Sequence, residues 1–146
     1  MSGRVAKSST LCGLLALFKR LHQIVGTLLQ ADNFSVTLYD EETDRLSFPY
    51  HVDEHEPRSK PSKPAAGTLC AEIIRTRQPI MLTPETMTTR LKELRASVDT
   101  NPLCWLGVPL KSHSGTIGVL VVKSYPGGRF GWFGPWLVLV DVIWKA

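Results

Sequence analysis

The sequence predicts a mixed α/β (α+β) fold in which a central antiparallel sheet carries helices on both faces. The first observation is a hairpin pattern over residues 103–125, where two apolar segments flank a polar, glycine-containing break at 112–115. The second is that segment 116–124 is apolar on both faces, as in a strand that is covered on both sides. The third is the order of the other elements, in which helical and strand periodicities alternate and supply the covering layers.

A long helix is predicted near the amino terminus, from hydroxyl residues at 8–10 that can cap it to about Gln30. Residues 1–10 are then a terminal tail. The helix carries one apolar stripe at three- and four-residue spacings: Leu14, Leu17, Phe18, Leu21, Ile24, Val25 and Leu28. Such a stripe covers a sheet or pairs with its copy in a second chain, and we expect a homodimer.

Two strands follow, at 34–40 and 45–52, joined by a polar turn. Alternation divides the first strand into two faces, with Phe34, Val36 and Leu38 on one and Ser35, Thr37 and Tyr39 on the other. Pro49 lies inside the second strand and cannot donate a ladder hydrogen bond, which predicts an edge or a bulge there. Residues 53–66 are rich in proline and poor in apolar side chains, which predicts a surface loop.

Three elements complete the layers before the hairpin, namely a helix at 67–77, a short strand at 79–82 and a helix at 83–96. A threonine at the start of each helix is a typical capping residue. In the hairpin itself, Leu106 and Val108 share one face of the first strand, and Trp105 lies on the other face. The hairpin therefore contributes apolar side chains to both sides of the sheet.

Length and composition fit one globular domain. The chain has 146 residues, of which 43% are hydrophobic, and its net charge of +4 comes from scattered basic residues. A nucleic-acid interface concentrates basic charge on one face, so we expect no nucleic-acid partner. The three cysteines are too few and too far apart for a secreted disulfide framework, and no segment has the length of a membrane span. The short amino-terminal apolar run lacks a cleavage site, and we expect a cytoplasmic protein.

Motifs for catalysis are either missing or placed in the wrong context. Residues 51–55, His-Val-Asp-Glu-His, match a zinc-peptidase pattern, but that chemistry requires a helix and this segment runs from a strand toward Pro57. The sequence contains neither a Walker-type phosphate loop nor a nucleophile elbow. We therefore expect no catalytic residues, no bound metal and no cofactor.

The hairpin sequence, Trp-Leu-Gly-Val-Pro-Leu at 105–110 and Ile-Gly-Val-Leu-Val-Val-Lys-Ser-Tyr at 117–125, resembles the central strand pair of GAF domains. The resemblance continues back through 31–34 and 37–40. The sequence is most similar to the GAF modules found beside bacterial histidine kinase and cyclic-di-GMP enzyme domains. It implies a non-catalytic input module, in which a small ligand on one sheet face shifts the helices and thereby regulates a histidine kinase or diguanylate cyclase effector.

The resemblance also implies a ligand pocket on the sheet face that the 53–66 loop covers. Six polar or aromatic residues on the converging elements are the candidate ligand-binding residues: Tyr39, Tyr50, His51, Cys70, Glu72 and Trp105. A bulge at Pro49 would move Tyr50 and His51 to the opposite faces. The identity of the ligand does not follow from the sequence.

Two alternatives remain open. Free methionine-(R)-sulfoxide reductases are GAF enzymes, and Gly-Thr-Leu-Cys at 67–70 resembles their glycine-led cysteine, which lies at a helix start that lowers a thiol pKa. The resolving cysteine does not match, because Cys104 lies inside the predicted central strand. The second alternative is a truncated, inactive remnant. The predicted domain spans 11–130, and it is followed at 131–146 by an apolar, tryptophan-rich tail where GAF domains continue into a charged helix.

Overall fold

Three helices and six strands form the part of the chain that this computed structural model describes, residues 2–29, 32–57, 60–98, 100–113 and 115–126. The helices are Ser2–Leu29 (α1), Leu69–Thr76 (α2) and Met87–Leu94 (α3). The strands are Asn33–Asp40 (β1), Arg45–Val52 (β2), Lys63–Pro64 (β3), Ile80–Leu82 (β4), Cys104–Ser112 (β5) and Gly115–Ser124 (β6). The apolar tail at 131–146, which stands where GAF domains continue into a charged helix, lies outside the described residues.

The sheet is antiparallel throughout, with the strand order β3-β2-β1-β6-β5-β4. The β5–β6 hairpin is central, because β6 pairs with β5 on one side and with β1 on the other. Alternate side chains of β6 enter two separate cores. Leu120 and Val122 pack beneath α1, whereas Val119 and Val121 pack beneath α2. The predicted antiparallel sheet with helices on both faces is confirmed.

Helix α1 begins earlier than predicted, at Ser2 instead of 8–10. Residues 2–7 contain no proline, so nothing in them interrupts the helical hydrogen bonds ahead of the hydroxyl residues. Within the described part of the chain, no helix has both the length and the apolar character that crossing a membrane requires.

The apolar stripe of α1 divides into a buried and an exposed part. Phe18 and Val25 are buried against the sheet, whereas Leu17 and Ile24 are 51% and 48% exposed. A helix turns only one side toward a sheet, and the predicted stripe is wider than that side. The side chain of Leu28 lies outside the described residues. A single chain therefore leaves part of the stripe in contact with solvent.

A bulge interrupts the pairing of β1 with β2 at Pro49, as predicted. Val36 of β1 lies opposite Tyr50, but Leu38 lies opposite Ser47, so β2 contains one extra residue between these pairs. The extra residue reverses the faces of the residues that follow it. Tyr50 consequently packs on the α1 side, and His51 faces the α2 side.

Helix α2 agrees closely with the predicted helix at 67–77. The Thr68 hydroxyl caps it by accepting a 3.1 Å hydrogen bond from the Ala71 amide, and Arg77 ends it in the left-handed conformation. Helix α3 is shorter than predicted. Residues 83–86 form a turn instead, in which the Thr83 amide donates to the Thr86 hydroxyl at 2.9 Å.

Candidate functional site

A cavity of about 50 Å³ lies on the α2 face of the sheet, between the strands, the first turn of α2 and the segments 60–63 and 97–98. Its apolar wall consists of Leu46, Phe48, Leu69, Val98, Trp105 and Val121. Its polar lining consists of Ser35, Thr37, His51, Lys60, Lys63, Thr68, Cys70, Ser97 and Lys123. A buried water needs about 10–15 Å³, so the cavity has room for a ligand of only a few heavy atoms.

Strand alternation brings Ser35, Thr37 and Lys123 of the polar lining to this face. Ser35 and Thr37 belong to the face of β1 that is turned away from α1, and Lys123 continues the face of β6 that carries Val119 and Val121. Val121 on the same strand and Trp105 on β5 are its apolar neighbours on that face, and Lys123 itself is only 8% exposed. A buried ammonium group requires anionic partners, and the next segment of the site supplies them.

Glu56 joins three basic side chains beside the cavity. One of its carboxylate oxygens lies 2.8 Å from His51 Nε2 and 3.2 Å from Lys60 Nζ, and the other accepts a hydrogen bond of 3.2 Å from Lys123 Nζ. The hydrogen bond with His51 holds the pKa of Glu56 far below its ordinary value of 4.5, against the opposing effect of burial, and Lys123 and Lys60 lower it further. Glu56 is therefore an anion throughout the physiological pH range.

Asp53 attaches the same segment to the end of β6. Its side chain lies 3.4 Å from Lys123 Nζ, and its two oxygens lie 2.8 and 2.9 Å from the Tyr125 hydroxyl, which donates to them. Thr100 Oγ1 lies 2.7 Å from the same hydroxyl. Burial raises the pKa of Tyr125 far above its ordinary range, so the hydroxyl keeps its proton. Residues 53–56 and the end of β6 thus share one buried polar network.

His51 carries a polar atom without a partner at the cavity. Its side chain is only 2% exposed, and Nδ1 makes no hydrogen bond to any described residue. A buried polar atom of this kind costs about 1–3 kcal/mol, which a ligand or water that completes the hydrogen bond recovers. His55, the other histidine of the zinc-peptidase pattern, is not on a helix with His51, and its ring packs against Tyr125 with centroids 4.2 Å apart.

Three of the six predicted site residues line the cavity, namely His51, Cys70 and Trp105. The predicted placement of the others is corrected. Tyr50 lies on the opposite face of the sheet, where its hydroxyl is 2.8 Å from His22 Nδ1 of α1. The bulge at Pro49 is the physical reason, because it exchanges the faces of Tyr50 and His51.

Tyr39 and Glu72 also lie away from the cavity. The Tyr39 hydroxyl donates a 2.7 Å hydrogen bond to Asp44 in the turn between β1 and β2. Glu72 forms an ion pair with Arg75, one turn further along the exposed side of α2. Both side chains bind a residue that is close in sequence. The prediction considered only which face of its strand or helix each residue lies on, and it therefore missed these local contacts.

Sequence reasoning missed the basic side chains of the site. Lys123 could have been recognised from the sequence, because a lysine inside a strand that is covered on both faces requires a buried partner. The sequence did not indicate a role for Lys60 and Lys63, since charged residues in a proline-rich loop are normally solvated. The role of Glu56 depends on how residues 53–56 fold back over the sheet, and the sequence pattern does not predict that path.

The two buried cysteines lie on opposite faces of the sheet. Cys70, in the first turn of α2, belongs to the core beneath that helix, whereas Cys104 of β5 belongs to the core beneath α1. A disulfide requires side chains that point toward each other across a few ångströms, and here the sheet lies between them. Burial raises the pKa of Cys70 to about 11 and also raises the pKa of Cys104, so both stay protonated at neutral pH.

We expect a thiol reagent to modify one of the three cysteines in the native protein. Cys12 is exposed on α1, whereas Cys70 and Cys104 are buried thiols with raised pKa values. Titration with a chromogenic disulfide at pH 7 should therefore give one fast equivalent, and three after denaturation. A Cys12→Ser control should abolish the fast reaction. A fast equivalent that survives in Cys12→Ser and is lost in Cys70→Ser would contradict the expectation.

A six-stranded antiparallel sheet, with a long helix on one face and a cavity beneath a short helix on the other, defines a single-sheet α+β domain. The family model described as GAF domain matches residues 14–132, so the chain belongs to the GAF domain family, as the hairpin resemblance predicted. No match was found among curated proteins.

Solved structures with a similar fold include a domain of a sensor histidine kinase, a protein with a nitrate binding site and an enzyme. The GAF domain of a two-component sensor histidine kinase from Bacillus halodurans aligns with a TM-score of 0.63 and 17% identity, covering 89% of this chain and 87% of that one. NreA from Staphylococcus aureus, mutated in its nitrate binding site, aligns with a TM-score of 0.63 and 15% identity, covering 90% and 98%. A type II free methionine-R-sulfoxide reductase from Thermoplasma acidophilum aligns with a TM-score of 0.62 and 11% identity, covering 93% and 88%. At these identities the likeness shows the shared fold.

Proposed function

We propose that this GAF domain is a non-catalytic sensory module that binds a small ligand in the cavity beneath α2. The observation that carries the proposal is the cavity itself, which combines an apolar wall with buried polar groups, among them the unpartnered Nδ1 of His51. Ligand sites are typically apolar cavities with a few placed polar groups. The volume of about 50 Å³ favours a ligand of a few atoms over a nucleotide.

The comparisons support a sensory role at the level of the fold. One similar structure comes from a sensor histidine kinase, and another has a nitrate binding site. A ligand as small as nitrate is compatible with the cavity of this chain. We extend the proposal to a cytoplasmic two-component or cyclic-di-GMP signalling context, in which the domain regulates a histidine kinase or diguanylate cyclase effector.

Sulfoxide reduction is the rival function, because a reductase shares the fold. That reaction needs a reactive thiolate and a resolving cysteine within reach. Cys70 is a buried thiol with a raised pKa, and Cys104 lies behind the sheet. These positions favour the non-catalytic reading. If the protein reduces free methionine sulfoxide and Cys70→Ser abolishes this activity, the domain is a reductase and the non-catalytic proposal is wrong.

The exposed part of the α1 stripe supports a homodimer as the unit that carries the signal. Leu17 and Ile24 are half exposed and seven residues apart, so they lie on the same side of the helix. Leu14, one turn before Leu17, is 38% exposed. Pairing of two α1 helices would remove these side chains from water, at about 25 cal/mol per Å² of apolar surface.

We expect Leu17→Asp to shift the protein from dimer to monomer, because a carboxylate in an apolar helix seam is left without a partner. Gln23→Asp is the matched control, since Gln23 is an exposed polar residue of the same helix. Sedimentation equilibrium over a range of concentrations measures the change. A wild-type protein that stays monomeric at the highest concentration, or a Leu17→Asp dimer as tight as the wild type, would contradict the expectation.

The proposed function is tested by thermal unfolding of the full chain against small anions, small neutral solutes, nucleotides and methionine sulfoxide. A ligand at one hundred times its dissociation constant adds about 2.7 kcal/mol, which raises Tm by about 5–10 °C in a domain of this size. Ser97 lines the cavity and is exposed, so Ser97→Trp should obstruct the opening and abolish the shift. Thr89→Trp, on the exposed side of α3, is the control. A panel that leaves Tm unchanged would contradict ligand sensing by this cavity.

A further inference from the structure

Three basic side chains converge on the position that one buried carboxylate occupies at the cavity edge. His51, Lys60 and Lys123 all line the cavity, and all three contact Glu56. Glu56 is not among the described residues that line the cavity, and its side chain is 7% exposed. The carboxylate therefore contacts basic groups that a molecule in the cavity can also reach.

The charged residues of the described lining are basic, with no carboxylate among them. Two of them, His51 and Lys123, have side chains that are 2% and 9% exposed, so a ligand contacts them away from bulk water. Charge-assisted hydrogen bonds are stronger and shorter than neutral ones, and a weakly hydrated site strengthens them. This chemistry selects an anion over a neutral solute of the same shape.

We propose that the cavity takes a small oxyanion, of the size of acetate or nitrate, which displaces Glu56 from His51 and Lys123. The inference rests on the proposed function of the cavity as a ligand site. A carboxylate and a small oxyanion offer the same acceptor atoms, so His51 and Lys123 can exchange one for the other. The cavity volume of about 50 Å³ admits an anion of three or four heavy atoms.

The exchange has a direct consequence for the end of β6. Lys123 holds Glu56 and Asp53, and Asp53 holds Tyr125, the residue that follows β6. An anion that draws Lys123 toward the cavity weakens its contacts with both carboxylates of the 53–56 segment. That segment is then released from β6, through which the chain passes to its carboxy-terminal residues. Glu56 acts in the ligand-free protein as an internal anion that keeps the segment in place.

Competition with Glu56 lowers the apparent affinity for the external anion, because the ligand must first displace the carboxylate. Glu56→Gln keeps the shape of the side chain but removes its charge, so the competitor becomes weaker. We expect acetate or nitrate to bind about tenfold more tightly to Glu56→Gln than to the wild type. Glu93→Gln, which alters an exposed ion pair on α3, should leave the affinity unchanged.

The experiment is a calorimetric titration of the full chain with acetate, nitrate and acetamide at constant ionic strength. Acetamide is the neutral counterpart of acetate and should not bind. Binding of acetate alone identifies a site that prefers carboxylates, and binding of nitrate alone identifies a site that prefers nitrate. Binding of both identifies a site that accepts small oxyanions in general. Each of these results supports the proposal if the affinity rises in Glu56→Gln and not in Glu93→Gln. Equal affinities in the wild type and Glu56→Gln would overturn it.

A measurement on the wild type makes the test independent of how Glu56→Gln folds. The ring nitrogen signals of His51 should shift in proportion to bound anion, since its partner changes from Glu56 to the ligand. Saturation with anion that leaves these signals unchanged would overturn the exchange. The two proposals can also fail separately. If a neutral ligand raises Tm in a way that Ser97→Trp blocks, and no anion binds, the oxyanion inference is wrong but the sensory function stands. A Tm that no panel member changes overturns both.

Discussion

Replacement of Lys123 by methionine is expected to destabilise the domain by about 3–5 kcal/mol, because it leaves buried carboxylates without their cation. The side chain of Lys123 is 9% exposed and contacts Asp53 and Glu56, which are 2% and 7% exposed. Methionine fills a similar volume, so the loss comes from the charge and not from a cavity. Urea unfolding at pH 7 measures the change in the free energy of unfolding.

The control for Lys123→Met is Arg90→Met, which removes the cation of an ion pair with Glu93 on α3. Both partners of that pair are well exposed, at 44% and 56%, and exposed pairs contribute about 0–1 kcal/mol. Similar losses in the two variants would contradict the account of a buried ionic network.

The effect of Lys123→Met should also depend on pH. The folded-state pKa of Glu56 lies well below its ordinary value of 4.5, so its contribution to stability is fully present above that value. The contribution is lost as the pH falls from about 4.5 toward the folded-state pKa, since the unfolded chain takes up the proton first. The difference between Lys123→Met and the wild type should therefore narrow between pH 5 and pH 3. A difference that stays constant over this range would contradict the assignment to a carboxylate.

Replacement of Gly118 by alanine should destabilise the sheet by about 1–3 kcal/mol or more. An added Cβ would lie 2.2 Å from the carbonyl oxygen of Thr37 and 3.2 Å from Leu38 Cα. Both are backbone atoms of β1, so no side-chain rotation relieves the overlap and the β1–β6 ladder must move. Thermal unfolding followed by circular dichroism measures the loss.

Gly13→Ala is the matched control for Gly118→Ala. Gly13 lies within α1, and an added Cβ there meets no atom within 4 Å. Alanine in a helix interior is more favourable than glycine by about 0.5–1 kcal/mol, so this variant should be neutral or more stable. Equal destabilisation by the two substitutions would show that close approach of the strands is not the reason for glycine at position 118.

The fold was predictable from the sequence because its determinants are local. Alternation in the β5–β6 hairpin assigns Leu106 and Val108 to one core and Trp105 to the other, and the structure agrees. Thr68 caps α2 in the predicted place. These signals depend on residues within one or two turns or strands of each other, which is the range over which periodicity and capping act.

The site was less predictable because long-range contacts build it. A single extra residue near Pro49 decides that His51, and not Tyr50, faces the cavity. The position of Glu56 beside Lys123 requires residues 53–56 to return to a strand that lies far along the chain. Neither the size of a bulge nor the path of a loop is encoded in a periodic pattern.

The bulge also decides which residue of β2 faces each side of the sheet. Adjacent residues of a strand face opposite sides of a sheet, so Tyr50 contacts His22 of α1 at 2.8 Å while His51 borders the cavity on the far side. Two residues joined by one peptide bond therefore reach the cavity on one face of the sheet and the long helix on the other.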